Sequence, residues 1–188
     1  IRVMTTMIVV ATNPDRGVYL DHFMESVPSY YRDYIYVAST WGMEIGALQD
    51  AMSTFRDTTV QHFAFLQDSM RVNNWGQFMQ DISIFDSAYI IPRPSCYALV
   101  YDTEILNKMA LPHVGQDKEM AIWFETVFTD TYDAVFQEEF QVSMPVLYPE
   151  MTDGDALYHQ RFYDHLPESR LHLRSSCGTL SKFKATYR

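Results

Sequence analysis

Three short apolar runs, separated by two segments with helical spacing, constrain the fold of this chain most. The runs are residues 7–11 (MIVVA), 34–38 (YIYVA) and 63–66 (FAFL), and the first is a β-branched stretch typical of a strand buried on both faces. Between them, apolar residues recur every three or four positions, which predicts helices over residues 18–26 and 44–55. The order β-α-β-α-β is that of a parallel sheet with right-handed crossovers. We therefore predict an α/β, Rossmann-like domain with a central, mostly parallel sheet flanked by helices.

The second half of the chain is less regular but continues the same domain. The apolar pattern predicts strands at 88–91, 97–101 and within 142–148, and helices at 103–109 and 118–129. Asp102 precedes the first of these helices and is a plausible N-cap, because its side chain can accept hydrogen bonds from the first free amides. No repeat, low-complexity tract or linker divides the chain. We predict that residues 1–188 form one domain.

The charge of the chain is acidic overall and unevenly distributed. The 188 residues carry a formal net charge of −10, which argues against a protein that mainly grips a nucleic-acid backbone. After Glu168 there is no acid, and the segment 170–188 carries five bases. Such a basic tail indicates a local anionic partner, for example as a lid closing over a diphosphate, or it is a solvated terminus that pairs with the acidic body.

Cysteine usage and hydropathy indicate the compartment. Cys96 and Cys177 form neither a disulfide framework nor a metal motif, so a reduced, cytoplasmic setting is expected. No stretch approaches the length of a membrane span.

Polar residues follow each of the first three predicted strands. The first strand leads into the turn 12–17 (TNPDRG), the second ends in Ser39-Thr40 before a glycine-containing helix, and the third stops abruptly at Gln67-Asp68-Ser69. Ligands of doubly wound sheets bind just beyond the carboxyl ends of the strands. An acid such as Asp68 at that position is therefore either a helix cap or part of a site.

The segment VGQDKEMAIWFE follows later and leads into the helix predicted at 118–129. In the order of these features the chain resembles the GT-A glycosyltransferases, especially those of the family 2 type, over about residues 7–148. The resemblance implies an inverting glycosyltransferase of hexosyltransferase type, which transfers a sugar from a nucleotide diphosphate sugar to a hydroxyl acceptor. The acceptor is open: a protein, a glycan, a small molecule or a modified nucleic-acid base. The residues that the resemblance implies for donor binding are Thr12, Asn13, Asp15, Arg16, Ser39, Gln67, Asp68 and Ser69.

The resemblance also implies the catalytic and metal-binding residues. Asp117 stands at the position of the general base, with Glu119 as the next acid, although Asp117 is equally suited to cap the helix that follows. Asp68 would hold Mn²⁺ or Mg²⁺ against the diphosphate, and His159 is a further ligand by residue type only. The chain departs from the family pattern, because Gln67-Asp68-Ser69 has one acid where the family has an aspartate cluster, and Gln116-Asp117 replaces Glu-Asp.

Two alternatives follow from these departures. A related nucleotidyltransferase would use the same sheet, but the glycine-rich phosphate loop of such enzymes is missing from the turn 12–17. A non-catalytic binding or structural protein on a degenerate GT-A domain would explain the reduced acidic motif.

Overall fold

The computed structural model describes residues 5–41, 43–92, 98–111, 118–151 and 171–185. These ranges contain a five-stranded mixed sheet, a three-stranded antiparallel sheet, and helices on both faces of the larger sheet. The chain is thus an α/β protein compatible with a Rossmann-like fold, as the sequence predicts. Within the described ranges, no helix is long and apolar enough to cross a membrane.

The elements follow one another in alternating order through the first half of the chain. The strands are β1 (Thr6–Thr12), β2 (Ile35–Ser39), β3 (His62–Gln67), β4 (Met70–Val72), β5 (Ala88–Tyr89), β6 (Leu99–Asp102), β7 (Leu171–Ser176) and β8 (Leu180–Ala185). The helices are α1 (Gly17–Glu25), α2 (Met43–Thr54), α3 (Trp75–Ile82), α4 (Thr103–Lys108), α5 (Lys118–Trp123) and α6 (Thr129–Phe140). Short 3₁₀ segments, Pro14–Arg16 and Ser29–Tyr34, precede α1 and β2, and a π-helical turn, Phe124–Phe128, joins α5 to α6.

The larger sheet has the strand order β2-β1-β3-β6-β5. Strands β2, β1 and β3 are parallel, which confirms the predicted β-α-β-α-β unit. Strand β6 is antiparallel to both β3 and β5, so the sheet is mixed and only its first three strands pair in parallel. Parallel neighbours require a crossover of about a dozen residues. The connection from Tyr89 to Leu99 is shorter than that, so β5 and β6 pair antiparallel.

The larger sheet separates two apolar cores. Strand β1 turns Met7, Val9 and Ala11 toward α2, and its alternate residues Ile8 and Val10 toward α1 and α3. Burial on both faces explains the unbroken β-branched run, because neither face of this central strand meets water. It also places α1 and α2 on opposite faces of the sheet.

Two details of the chain after β4 differ from the sequence prediction. Helix α3 is not predicted, although its buried residues Trp75, Phe78 and Ile82 have helical spacing and the Asn74 side chain caps its start. The strand predicted within 142–148 is wrong, since Val146 makes only an isolated parallel bridge to Tyr89. Pro145 and Pro149 flank that bridge, and proline lacks the amide that a longer ladder needs.

The described part of the basic segment, residues 171–185, contains two strands. Strands β7 and β8 form a hairpin, and β8 pairs with β4 in the order β4-β8-β7. The Phe183 amide donates to the carbonyl oxygen of Ser69 at 2.7 Å, and Lys182 is 4% exposed. The described residues of this segment are therefore part of a sheet, in contrast to the solvated tail or mobile lid considered from the sequence.

Deletion of residues 181–188 is expected to destabilise the protein, because it removes most of β8 and several backbone hydrogen bonds to β4 and β7. Each such bond contributes about 0.5–1.5 kcal/mol net, so the free energy of unfolding should fall by at least about 2 kcal/mol. Urea denaturation measures it, with deletion of 186–188 as the matched control. A full-stability variant lacking 181–188 would show that the hairpin is dispensable.

Candidate functional site

The carboxyl ends of β1 and β3 lie side by side in the larger sheet, and the connections that follow β1 and β2 run to opposite sides of β1. From β1 the chain passes through α1 to β2 on one side, and from β2 through α2 to β3 on the other side. This is the topological switch point of the parallel part of the sheet. In open α/β sheets the crevice outside such a point is the common place for ligands.

Asp68 directly follows β3 and is 1% exposed. The Thr12 hydroxyl donates to its Oδ2 at 2.7 Å. Arg16 donates from Nε to Oδ2 at 2.8 Å and from Nη2 to Oδ1 at 2.7 Å, which is a bidentate, charge-assisted arrangement. Asp68 is thus the buried counter-ion of Arg16 and not a helix cap.

The turn after β1 brings Arg16 to this position. The Asn13 side chain accepts from the Asp15 amide at 2.9 Å, and Pro14 starts the 3₁₀ turn, where the amide it lacks is not needed. The Arg16 guanidinium lies 4.0 Å above the centroid of the Tyr19 ring, which adds a cation–π contact. Its side chain is 31% exposed, so the cation reaches the surface at the edge of the crevice.

The end of β2 completes the same edge of the sheet. Ser39 is exposed and stands in register with Thr12, and the Thr40 amide donates to the Thr12 carbonyl oxygen at 3.1 Å. A Cβ atom on Gly46 of α2 would lie 3.2 Å from Thr40 Oγ1, a closer approach than in nine of ten real Cβ contacts. Glycine therefore lets α2 begin close against the turn that follows β2.

A second polar chain links β3 to α2. Gln67 Nε2 donates to Glu44 Oε1 at 2.5 Å, and the Ser69 hydroxyl donates to Gln67 Oε1 at 3.3 Å. Glu44 is a site residue that sequence reasoning missed, although its place in the first turn of α2, just after a predicted strand end, was a usable signal. Of the predicted donor-binding residues, the structure brings Thr12, Arg16, Ser39, Gln67, Asp68 and Ser69 to this edge, while the Asp15 side chain is exposed on the adjoining turn.

The small sheet packs beside this edge through α1. The His22 ring of α1 meets Phe183 of β8 edge-on, with ring centroids 4.5 Å apart. Burial, and then the charge of Arg71, lower the pKa of His22, so this imidazole is favoured in its neutral form. The hairpin is thereby held next to the strand end that carries Asp68 and Ser69.

The predicted catalytic residues are only partly described. Glu119 is exposed in the first turn of α5, and α5 packs against α2. Asp117 and His159 lie outside the described residues, so the roles of base and metal ligand stay predictions for them. The described part of α5, Lys118–Trp123, lies within the helix predicted over residues 118–129.

The Mn²⁺ or Mg²⁺ ion that the resemblance implies would need carboxylate oxygens of Asp68 as ligands. Both carboxylate oxygens of Asp68 already accept from Arg16, and an ion here would have to displace the guanidinium. Such ions bind through carboxylates that are free to face them. The described residues at this edge do not fit that ion, and a metal requirement stays a prediction.

No family model, curated protein or solved structure matches this chain. The class of the protein is therefore defined by its fold and by this edge: an α/β protein, compatible with a Rossmann-like fold, with a polar cluster at a topological switch point.

Proposed function

We propose that this protein is an inverting glycosyltransferase of the GT-A type, which transfers a sugar from a nucleotide diphosphate sugar to a hydroxyl acceptor. The observation that supports the proposal best is the cluster of Thr12, Arg16 and Asp68 at the switch point between β1 and β3. This is the place where sheets of this class bind nucleotides. The polar turn after β2 adjoins it, where the nucleoside would lie.

Arg16 is the group proposed to face the donor diphosphate. Departure of a nucleoside diphosphate requires neutralisation of the charge that develops on its oxygens, and a pre-oriented cation supplies this. Asp68 holds the guanidinium in a fixed orientation, and Tyr19 supports it from one face. The first amides of α1, directly after Arg16, favour an anion at the same edge.

Asp117 is the proposed general base. It takes the proton of the acceptor hydroxyl while that oxygen forms a bond to the anomeric carbon of the sugar, and the bond from that carbon to the diphosphate oxygen breaks. The nucleoside diphosphate leaves with the electron pair of the broken bond. Glu119, exposed in the first turn of α5, is the next candidate for the same role.

A non-catalytic binding protein on the same fold is the second candidate function. The observation that favours it is the closed Arg16–Asp68 pair, which occupies the one carboxylate of the LQDS segment. A binding protein would still hold a nucleotide at this edge but would leave the glycosidic bond intact.

A panel of sugar nucleotides, with and without Mn²⁺, tests the proposal. We expect at least one donor to raise the melting temperature, since a ligand at 100 times its Kd stabilises the folded state by about 2.7 kcal/mol. With that donor, free nucleoside diphosphate should accumulate slowly by hydrolysis. Binding without release would favour the binding protein, and a panel without any stabilising donor would contradict both functions. The arms with Mn²⁺ and with EDTA decide the metal requirement.

A further inference from the structure

A second polar cluster lies at the opposite edge of the larger sheet, away from the switch point. His62 is the first residue of β3, and Asp102, the last residue of β6, is its direct partner in the antiparallel register. Asp86 precedes β5, the neighbour of β6. Three elements thus bring one imidazole and two carboxylates together at the amino end of β3, at a place that the proposed function does not use.

The three side chains converge without hydrogen-bonding to one another. His62 Nε2 lies 3.8 Å from Asp86 Oδ1 and 3.7 Å from Asp102 Oδ2, and the three ligand atoms all lie within 4.8 Å of one another. These separations exceed the range of an N–H···O hydrogen bond. Nε2 is fully buried and has no hydrogen-bond partner among the described residues. A buried polar atom of this kind calls for an explanation, and a bound ion would provide one.

Asp102 is held so that one oxygen remains for His62. Its Oδ1 accepts from the amides of Glu104 at 2.9 Å and Ile105 at 3.2 Å, which caps α4. Its own amide donates to the buried Tyr132 Oη at 2.6 Å. With Oδ1 and the backbone engaged, Oδ2 is the atom that faces the imidazole. This rigid support is what a metal ligand requires.

We propose that His62, Asp86 and Asp102 bind a divalent transition-metal ion, for which Zn²⁺ fits the donor set best. Zinc takes imidazole nitrogen and carboxylate oxygen at about 2.0–2.2 Å, and tetrahedral ligands at that distance lie about 3.4 Å apart. Each carboxylate oxygen therefore has to approach His62 Nε2 by only a few tenths of an ångström. Two carboxylates balance its charge. Mg²⁺ is disfavoured, because it prefers oxygen ligands only.

Three protein ligands leave one tetrahedral position for water or a small ligand. Asp86 is 57% exposed, so that the site opens to solvent. His62 also lines a cavity of about 590 Å³ together with Tyr30, Tyr31, Tyr34 and Gln80. The combination of an open metal position and a neighbouring tyrosine-lined cavity makes this edge a candidate site for a small metal-binding ligand.

The separations by themselves do not identify a metal, so the test must detect the ion itself. The experiment is calorimetric titration of the metal-free full chain with Zn²⁺, supported by the visible absorption of Co²⁺ as a probe of nitrogen and oxygen ligands. We expect one binding event that is lost in His62→Ala and weakened in Asp86→Asn and Asp102→Asn. The loss should be at least about tenfold, since changes to groups that merely support ligands already cost that much.

Matched controls separate this site from others. Asp57→Asn removes an exposed acid and His22→Ala removes a histidine outside the cluster, and both should leave Zn²⁺ affinity unchanged. The cluster lies at the opposite edge of the sheet from Asp68, so the outcome is independent of the proposed glycosyltransferase site. Asp86 is exposed, so its variant should fold, and Asn at 102 can still cap α4.

The proposal is overturned if the wild-type chain does not bind Zn²⁺. It is equally overturned if the three variants bind Zn²⁺ as tightly as the controls, because the ion then lies elsewhere.

Discussion

Asp68→Asn is expected to lower the free energy of unfolding by about 2–3 kcal/mol and to weaken the binding of the donor sugar nucleotide. Removal of one partner from a fully buried ion pair costs about 3–5 kcal/mol, and the exposed part of Arg16 reduces that figure here. The amide keeps the shape of the carboxylate and can accept from Thr12, but its NH₂ group would face the guanidinium donors. Arg16 would lose the orientation that the proposed diphosphate contact needs.

Urea denaturation and calorimetric donor titration together measure this prediction. Asp57→Asn is the control for loss of one acidic charge at an exposed position. A double-mutant cycle with Arg16→Gln isolates the coupling between the two side chains. Lost stability with unchanged donor affinity would assign Asp68 a structural role only. Unchanged stability would contradict the buried ion pair itself.

Asp117→Asn is expected to reduce sugar transfer by about 10²–10⁴-fold, the usual contribution of general-base assistance. A base that acts on the acceptor contributes to the transition state and little to donor binding, so donor affinity should stay within a few-fold. The melting temperature should hardly change, because asparagine is as good a cap as aspartate for the helix that the sequence predicts over residues 118–129.

Single-turnover transfer measurements with the donor found in the panel provide the rate, and Glu119→Gln is the matched control. Glu119 is exposed in the first turn of α5, so its amide variant should retain most activity. Near-normal turnover of Asp117→Asn would remove Asp117 from the mechanism. A large loss in Glu119→Gln instead would make Glu119 the base.

The two ends of the larger sheet carry different polar chemistry. At the carboxyl ends of β1 and β3, Asp68 is paired with the guanidinium of Arg16, the group proposed to face the donor diphosphate. At the amino end of β3, Asp86 and Asp102 surround an imidazole, which suits the capture of a cation. Because the sites lie at opposite edges, variants of one should not alter ligand binding at the other.

The sequence by itself determined the elements whose signals are local. The apolar run at 7–11 predicts β1, the spacing at 44–55 predicts α2, and the Asp102 cap is confirmed by its bonds to the amides of Glu104 and Ile105. Strand ends rich in polar residues also located the switch-point edge. These signals succeed because caps and periodicity depend on neighbours within about one turn of helix or one strand.

Only the tertiary structure decided the long-range pairings. Arg16 and Asp68 stand 52 positions apart, and nothing in TNPDRG shows that its arginine neutralises the acid of LQDS. The antiparallel place of β6 likewise brings Asp102 beside His62. The hairpin of β7 and β8 meets β4, about 110 residues earlier in the chain, as the pairing of Met70 with Lys182 shows. Such contacts depend on burial and strand register across the whole domain, so local sequence patterns do not predict them.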